Sequence, residues 1–239
     1  ARSVITPDPN IDLDELGVPD KIANNLTYPE KVNNININAL NKLLLKGCDE
    51  WPNIKNIIKK ENIKITINRN NYKDIVLEHG DIVNRSLMDG DYVLFNRQPS
   101  LHKMSMMSHK VRVMEYDTFR LNPAVTPSYN ADYDGDEMNL HLPQSVQTEN
   151  ELKMLSNVTS QIISPRESKP IISVVQDVTL GLYRITKETS MLSEKQVFNL
   201  MMTNTKFIGD VPLPIYINKN IRKWNGKQIL SEILPPNLN

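Results

Sequence analysis

Three aspartates at alternate positions place the strongest constraint on how this chain can fold. Asp132, Asp134 and Asp136 carry like charges, so they lie close together only where a cation or strong donors neutralise them. On a regular strand they would line one face over about 13 Å, which is too far apart to share one ion. Gly135 admits backbone conformations that other residues resist, and we therefore predict a curled loop that turns all three carboxylates inward.

The ligand atoms that this loop offers are all oxygen, which selects hard cations: magnesium first, then calcium or manganese. An EF-hand loop is excluded, because its sixth and twelfth positions would be Glu137 and Pro143 instead of Gly and Glu. A phosphatase of the haloacid dehalogenase type needs a buried apolar strand before the first aspartate, and residues 127–131 do not form such a pattern. An acidic loop without any ligand stays open on these residues alone.

Composition limits the classes of protein to which the chain can belong. Apolar residues make up 39% of the 239 residues, which is enough for a core. No apolar run approaches the roughly 20 residues of a membrane span, so we expect no membrane partner. Cys48 is the single cysteine, which excludes an intrachain disulfide and a cysteine-based zinc site and is typical of an intracellular protein. Because the sequence begins at Ala1, with neither an initiator Met nor a signal-peptide pattern, we expect a segment of a longer protein.

Charge is balanced overall, with 28 basic and 28 acidic residues, but it is uneven along the chain. Five basic residues stand between positions 96 and 120 against two acidic ones: Arg97, Lys103, Lys110, Arg112 and Arg120 against Glu115 and Asp117. A basic stretch beside an acidic loop suits a site where phosphates meet metal ions. An ordinary mixed surface would give the same distribution, so charge alone leaves both interpretations open.

Short strands dominate the predicted secondary structure in the middle of the chain. Residues 63–67 alternate between apolar and polar, which predicts a half-buried strand, and residues 93–95, 111–113 and 119–121 are predicted to form further short strands. Turn residues separate these segments, and this pattern is typical of a small barrel.

Four helices are predicted around these strands. One runs from an N-cap at Asn36 to Gly47, and a shorter one begins at the apparent capping box of Thr27 and Glu30. Residues 149–155 and 174–186 are also predicted to be helical. The polar segment 164–170, which contains two prolines, predicts a domain boundary.

The string from Asn130 to Asn139, with the six residues that follow it, resembles the signature of the largest subunit of multisubunit DNA-directed RNA polymerases. Residues 94–107 and 118–122 resemble two further motifs of that family. Five outlying segments resemble the RNA polymerase II type in the expected order: residues 1–5, 26–30, 169–170, 175–177 and 224–230. Tyr133 stands where the family mostly has Phe, which is a mild aromatic exchange. The resemblance covers nearly the whole chain.

The resemblance implies a mixed α+β fold. Residues 1–163 would form the active-site domain, a double-psi β-barrel with flanking helices. Residues 164–239 would begin the pore, or funnel, domain.

The resemblance also implies the reaction and its residues. Asp132, Asp134 and Asp136 would hold one Mg²⁺ permanently, while a second Mg²⁺ arrives with the nucleoside triphosphate. The RNA 3′-hydroxyl would attack the α-phosphate, and pyrophosphate would leave. Arg97 and Asn130 would contact the ribose hydroxyls of the incoming nucleotide, and Arg2 would contact the template strand.

The partners implied in this way are the second-largest subunit, the other polymerase subunits, the DNA template, the nascent RNA and nucleoside triphosphates. The expected location is intracellular: the nucleus for a cellular enzyme, or the host cytoplasm or virion for a large DNA virus. Two functions of other classes compete with this one: a metal-dependent phosphohydrolase that acts alone, and a non-catalytic binding module with the same fold.

Overall fold

A computed structural model describes residues 1–47, 51–175, 177–203, 207, 209–218 and 221–234. The chain forms two compact units, residues 1–173 and residues 174–239. Compactness alone does not define a domain, so the division into residues 1–163 and 164–239 stays a prediction. Cys48, and Gln176 of the motif at 175–177, lie outside the described residues.

The first unit contains most of the strands. They are β1 (Arg2–Pro7), β2 (Glu15–Pro19), β3 (Thr27–Lys31), β4 (Ile54–Ile58), β5 (Lys64–Thr66), β6 (Ile82–Ser86), β7 (Tyr92–Asn96), β8 (Met106–Met114), β9 (Phe119–Leu121), β10 (Glu137–His141), β11 (Ile163–Ser164) and β12 (Lys169–Pro170). Its helices are α1 (Asp20–Asn25), α2 (Ile37–Lys46), α3 (Thr126–Tyr129) and α4 (Val146–Met154), with short 3₁₀ turns at Lys103–Ser105, Pro123–Val125 and Val158–Gln161.

Six strands close into a barrel in the order β1-β10-β7-β8-β2-β9. The pairs β1/β9 and β2/β8 are parallel, and the other four pairs are antiparallel. The predicted mixed α+β fold with a double-psi β-barrel is therefore confirmed. Gly17 allows β2 and β9 to approach closely, because a Cβ atom at this position would lie 2.5 Å from the Cβ of Arg120.

Aromatic side chains fill the interior of the barrel. Phe95 on β7 packs edge-on against Phe119 on β9 and Tyr129 on α3, with ring centroids 5.4 Å and 5.8 Å away. All three side chains are buried, and burial of each such side chain contributes roughly 1.5–3 kcal/mol. This packing fixes the strands whose ends carry the candidate site.

A second sheet of the first unit has the order β3-β6-β4-β5, and α2 packs its buried Leu40 and Leu44 into the same hydrophobic cluster. The helix predicted from Asn36 to Gly47 is confirmed, with those two residues as its caps. The helix predicted at Thr27 is wrong, because residues 27–31 pair with β6 over five positions. Glu30 accepts a hydrogen bond from Arg85 on β6 instead of completing a capping box.

The second unit contains β13 (Met191–Ser193), β14 (Tyr216–Asn218), β15 (Ile221–Asn225), α5 (Asp177–Thr186), α6 (Glu194–Met202) and α7 (Gly226–Ile233). Its strands form a sheet in the order β13-β15-β14. Val197, Met201, Trp224 and Ile229 are its buried core. No helix in the described parts of either unit has the length and apolar character needed to cross a membrane.

Candidate metal centre

The acidic loop lies at one end of the barrel, directly before β10. Since β10 runs antiparallel to β7, with Asn139 opposite Asn96, the start of β10 lies beside the end of β7. Arg97 follows β7 and therefore meets the loop. The backbone N–H of Ile5 on β1 donates to the carbonyl of Asp136 at 3.0 Å, which fixes the loop to the strand on the other side.

The backbone of the loop explains which residues can form it. Asn130 ends α3 in the left-handed conformation, with φ 47° and ψ 45°, which Asn tolerates better than most residues. Gly135 has φ 120°, a value that strongly favours glycine. Between these two points, Tyr133 packs against the barrel core and its hydroxyl donates to the Leu121 carbonyl at 3.3 Å. The loop is anchored by its aromatic residue and curls around it.

The curl brings the three carboxylates together. Asp132, Asp134 and Asp136 each offer an oxygen atom within 4.8 Å of the other two. The first two side chains are exposed and the third is partly buried. The predicted convergence of the three aspartates is therefore what the structure contains.

Hydrogen bonds distinguish the three carboxylates electrostatically. Asp136 Oδ2 accepts from Arg97 Nε at 2.8 Å and from the backbone N–H of Asp132 at 3.2 Å. The hydrogen bond from Arg97 lowers the pKa of Asp136 despite partial burial. Side-chain hydrogen bonding with Asp134 raises the pKa of Asp132, and burial and the neighbouring charges act in the same direction.

Arg97 neutralises only part of the negative charge of this cluster. Three ionised carboxylates beside one guanidinium carry two excess negative charges. An exposed, all-oxygen, negatively charged cluster fits a hard divalent cation such as Mg²⁺, and it has the donor set for one.

The other predicted site residues lie around the same loop. Arg97 is brought into contact with the cluster, whereas Asn130 is exposed at the start of the loop. No hydrogen bond joins Arg97 to Asn130, both of which are described. Arg2 on β1 pairs with Glu137, its Nε lying 2.7 Å from the carboxylate, and both side chains are about half exposed.

Sequence reasoning missed two contacts that organise the site. The Arg97–Asp136 pair depends on the pairing of β7 with β10, which no local pattern reveals. Tyr133 did carry a signal, because an aromatic residue between two exposed aspartates is placed to serve as an apolar anchor.

Comparison with known proteins covers the whole chain. Residues 1–158 match the family model described as RNA polymerase Rpb1, domain 2, and residues 161–239 match RNA polymerase Rpb1, domain 3. The chain is 45% identical over 240 aligned positions to the DNA-directed RNA polymerase subunit Rpo1N of Thermococcus celer. All of this chain is aligned, and it spans 26% of that relative. The chain therefore belongs to the RNA polymerase Rpb1 family.

Proposed function

We propose that the chain carries the catalytic centre of a DNA-directed RNA polymerase. Its reaction is template-directed nucleotidyl transfer from nucleoside triphosphates to the RNA 3′ end. The observation that carries this proposal is the convergence of Asp132, Asp134 and Asp136 at the barrel end, within a family of RNA polymerase subunits.

The three aspartates would hold the resident Mg²⁺, and a second Mg²⁺ would enter with the nucleoside triphosphate. When bound, the metal supplies stabilisation of charge on the reacting phosphoryl group and a lower pKa for the attacking hydroxyl. The chain's own contribution is positioning. Arg97 and the backbone of Asp132 hold Asp136 in place, and Tyr133 anchors the segment between Asp132 and Asp134.

Arg97 and Asn130 would contact the ribose hydroxyls of the incoming nucleotide. Arg97 uses Nε for Asp136, and its two terminal amino groups have no hydrogen-bond acceptor among the described residues. Those donors are available for a 2′-hydroxyl, the group that distinguishes ribonucleotides from deoxyribonucleotides. Arg2, at the start of β1, would contact the template strand.

The reaction requires partners beyond this chain. Among the described residues, the aspartate cluster is the one group of three potential metal ligands. A second ion needs further ligands besides these three. We assign them to the second-largest subunit, and we assign residues 164–239 to the start of the pore domain. The other subunits, DNA and RNA complete the enzyme, which works inside the cell or virion that holds the template. This need for partners also argues against a phosphohydrolase that acts alone.

Replacement of Asp134 by Asn in the assembled polymerase tests the proposal. The change keeps the side-chain volume and removes one negative charge from the cluster. We expect RNA synthesis to fall about 10³-fold or more, because the metal contributes several kcal/mol to the transition state. Subunit co-purification should be unchanged.

Asp117→Asn is the matched control, since Asp117 is an exposed aspartate that pairs with Lys21 and takes no part in the cluster. Synthesis within about tenfold of normal in the Asp134→Asn enzyme would refute the proposal. RNA synthesis or efficient phosphatase turnover by the isolated 239-residue chain would contradict the need for partners.

A further inference from the structure

The aspartate loop is attached to the fold at both of its ends. At its far end, hydrogen bonds from Ile5 and Arg97 fix Asp136. At its near end, Asp132 follows the short helix α3 with two residues between them. The position of the first aspartate therefore depends on what holds α3 in place.

The two connecting residues continue the hydrogen bonding of α3. The N–H of Asn130 donates to the Pro127 carbonyl at 3.2 Å, and the N–H of Ala131 donates to the Thr126 carbonyl at 3.1 Å. Because both connecting N–H groups are bonded to the helix, a shift of α3 would carry Asp132 with it.

The helix cannot fix its own position. It spans four residues, and a single helical turn is not stable in water without tertiary packing. Tyr129, the last residue of α3, supplies such packing, because its side chain is only 1% exposed. Its ring lies edge-on to Phe95, with the ring centroids 5.8 Å apart. Tyr129 therefore joins α3 to the interior of the barrel.

A buried hydrogen bond gives this attachment a direction. The Tyr129 hydroxyl lies 2.8 Å from Nε2 of His109 on β8, and His109 is fully buried. Apolar packing alone would let the ring slide, whereas a hydrogen bond weakens steeply when its angle changes. Two apolar side chains of the same shape would fill this space with nearly equal stability. The polar pair therefore contributes a defined geometry more than it contributes stability.

The pair cannot take part in the reaction directly. Both side chains are buried inside the barrel, where substrate does not reach them. Both also stay neutral near pH 7, because burial lowers the pKa of His109 to about 4 and raises the pKa of Tyr129 well above its usual value. Any effect of the pair on the reaction must therefore pass through the backbone of α3.

From these contacts we infer that Tyr129 and His109 are positioning residues: their hydrogen bond fixes α3 and thereby holds Asp132 where it can share a divalent cation with Asp134 and Asp136. The inference rests on the proposed function. Loss of the hydrogen bond should weaken metal binding and slow the chemical step, and it should leave the affinity for nucleotide unchanged.

The test uses the assembled polymerase with Tyr129→Phe and His109→Leu combined. This double variant removes both partners, so neither group leaves the other buried and unpaired, and the barrel should keep its stability. His109→Gln is the conservative variant, because its amide can still bond the hydroxyl. Tyr28→Phe is the matched control, because it removes the hydroxyl of another buried tyrosine, which donates to Glu149 outside the aspartate loop.

Three measurements separate positioning from a loss of fold. Electron paramagnetic resonance of free Mn²⁺, titrated against the enzyme without nucleotide, gives the Kd of the site, counted as the binding that Asp134→Asn removes. Single-nucleotide addition with titrated UTP gives kcat and KM. Hydrogen exchange in peptides covering β7 and β8 reports the stability of the barrel.

The double variant should raise the Kd for Mn²⁺ about tenfold or more and lower kcat by a similar factor, as changes behind metal ligands usually do. KM for UTP should stay within about twofold of normal, because ground-state binding of nucleotide is untouched. Hydrogen-exchange rates in β7 and β8 should stay within about threefold of normal. His109→Gln should lie closer to normal in Kd and kcat than the double variant, and Tyr28→Phe should match the unmodified enzyme.

A normal Kd and kcat in the double variant would overturn the inference. A weaker Kd that appears only together with faster exchange throughout β7 and β8 would overturn it too, because the pair would then serve the fold alone. Equal impairment in His109→Gln and the double variant would show that the shape of the imidazole, and not its hydrogen bond, sets the loop, which also contradicts the inference.

The proposed function is tested separately by the same measurements. If Asp134→Asn loses Mn²⁺ binding and synthesis while the double variant is normal, the positioning role fails and the proposed function stands. If Asp134→Asn retains both, the proposed function itself fails.

Discussion

Carboxylates cluster in two regions of the first unit, and neighbouring guanidinium groups compensate their negative charge to different extents. In the second sheet, the buried guanidinium of Arg85 donates to both oxygens of Asp91 at 2.8 Å and 2.9 Å. It also donates to Glu30 at 2.7 Å, so one cation compensates two acids. At the barrel end, one guanidinium, Arg97, faces three acids.

The surroundings of Arg85 complete its compensation. Its guanidinium lies 4.9 Å from the centre of the Tyr28 ring, and the Tyr28 hydroxyl donates to Glu149 at 2.6 Å. Burial would lower the pKa of Arg85, but the hydrogen bonds and charges of Asp91 and Glu30 outweigh it, and the pKa is raised. This network ties β3, β6 and α4 together, and the guanidinium at its centre is buried.

The contrast separates a structural charge cluster from a functional one. A network that stabilises the fold places its counter-ions within the chain. A site that must bind a cation keeps its negative charge exposed and is held in shape by backbone and aromatic anchors.

The largest effect on stability is expected from Arg85→Met. Removing the guanidinium leaves two partly buried acids without their counter-ion, which costs about 3–5 kcal/mol, nearer the lower value because Glu30 is partly exposed. Amide hydrogen exchange of the assembled enzyme, followed in peptides covering residues 27–31 and 82–91, measures the loss. Arg112→Met is the control, because its pair with Glu15 at 3.5 Å is half exposed and should contribute less than about 1 kcal/mol. Equal losses in the two variants would contradict this reading of the Arg85 network.

The same contrast explains how much of the fold could be predicted from sequence. Periodicity and capping residues located α2 between Asn36 and Gly47, and the two apolar residues on either side of Arg120 gave the bounds of β9. These elements have their signals within their own segments. At Thr27 the local signal was misleading, because residues 27–31 form a strand by pairing with β6, which lies more than fifty residues away in the chain.

The candidate site divides in the same way. The three aspartates and Gly135 lie in one loop, so local electrostatics predicted their convergence. The contact between Arg97 and Asp136 joins residues 39 positions apart and exists only because β7 and β10 are neighbours in the barrel.

A buried histidine shows how burial without a counter-ion, among the described residues, changes the pKa of a titratable group. His109 on β8 is fully buried, with Nε2 2.8 Å from the Tyr129 hydroxyl, and burial lowers its pKa to about 4 from 6.5. Below pH 6.5 the unfolded chain therefore binds a proton that the folded chain rejects. The contribution of His109 to stability is therefore complete above pH 6.5 and declines as the pH falls towards 4.

Between pH 7.5 and pH 5 we expect the barrel to lose about 2 kcal/mol through His109. Hydrogen exchange in β7 and β8, corrected for the intrinsic pH dependence of the rate, measures this change. His109→Gln should flatten the pH profile, whereas replacing the exposed His79 by Gln should not. A profile that stays the same in His109→Gln would mean that other groups cause the acid sensitivity.

Arg97→Ala removes the one guanidinium of the open cluster and tests its assigned role in sugar choice. A hydrogen bond from a charged donor contributes roughly 1.5–3 kcal/mol. Discrimination between ribo- and deoxyribonucleotides should therefore fall about ten- to a hundredfold in the ratio of kcat/KM. Single-nucleotide addition with matched substrates gives this ratio. Equal losses on both substrates would show that Arg97 acts only by holding Asp136.

Two further variants sharpen the Arg97 result. Arg97→Lys should rescue poorly, because an ammonium cannot bond Asp136 and a hydroxyl in the geometry of the planar guanidinium. Asn130→Ala should lower discrimination less, and combining it with Arg97→Ala should give less than the product of the two effects if both residues serve one ribose. A simple product would indicate independent roles.

The smallest effect, and the one that separates the two clusters most clearly, is the stability of Asp134→Asn. Because Asp134 is exposed beside two like charges, its removal relieves repulsion and breaks no compensated pair. We expect the hydrogen-exchange stability of β10 to stay within about 0.5 kcal/mol of normal, with any change towards greater stability, while RNA synthesis is lost. Asp91→Asn, which removes one charge from the Arg85 network, should instead destabilise β6 by more than about 1 kcal/mol, because it weakens a bidentate pair to a buried guanidinium. If Asp134→Asn destabilised its surroundings as much as Asp91→Asn, the aspartate loop would depend on its own charges for its structure, and the distinction between an open and a compensated cluster would fail.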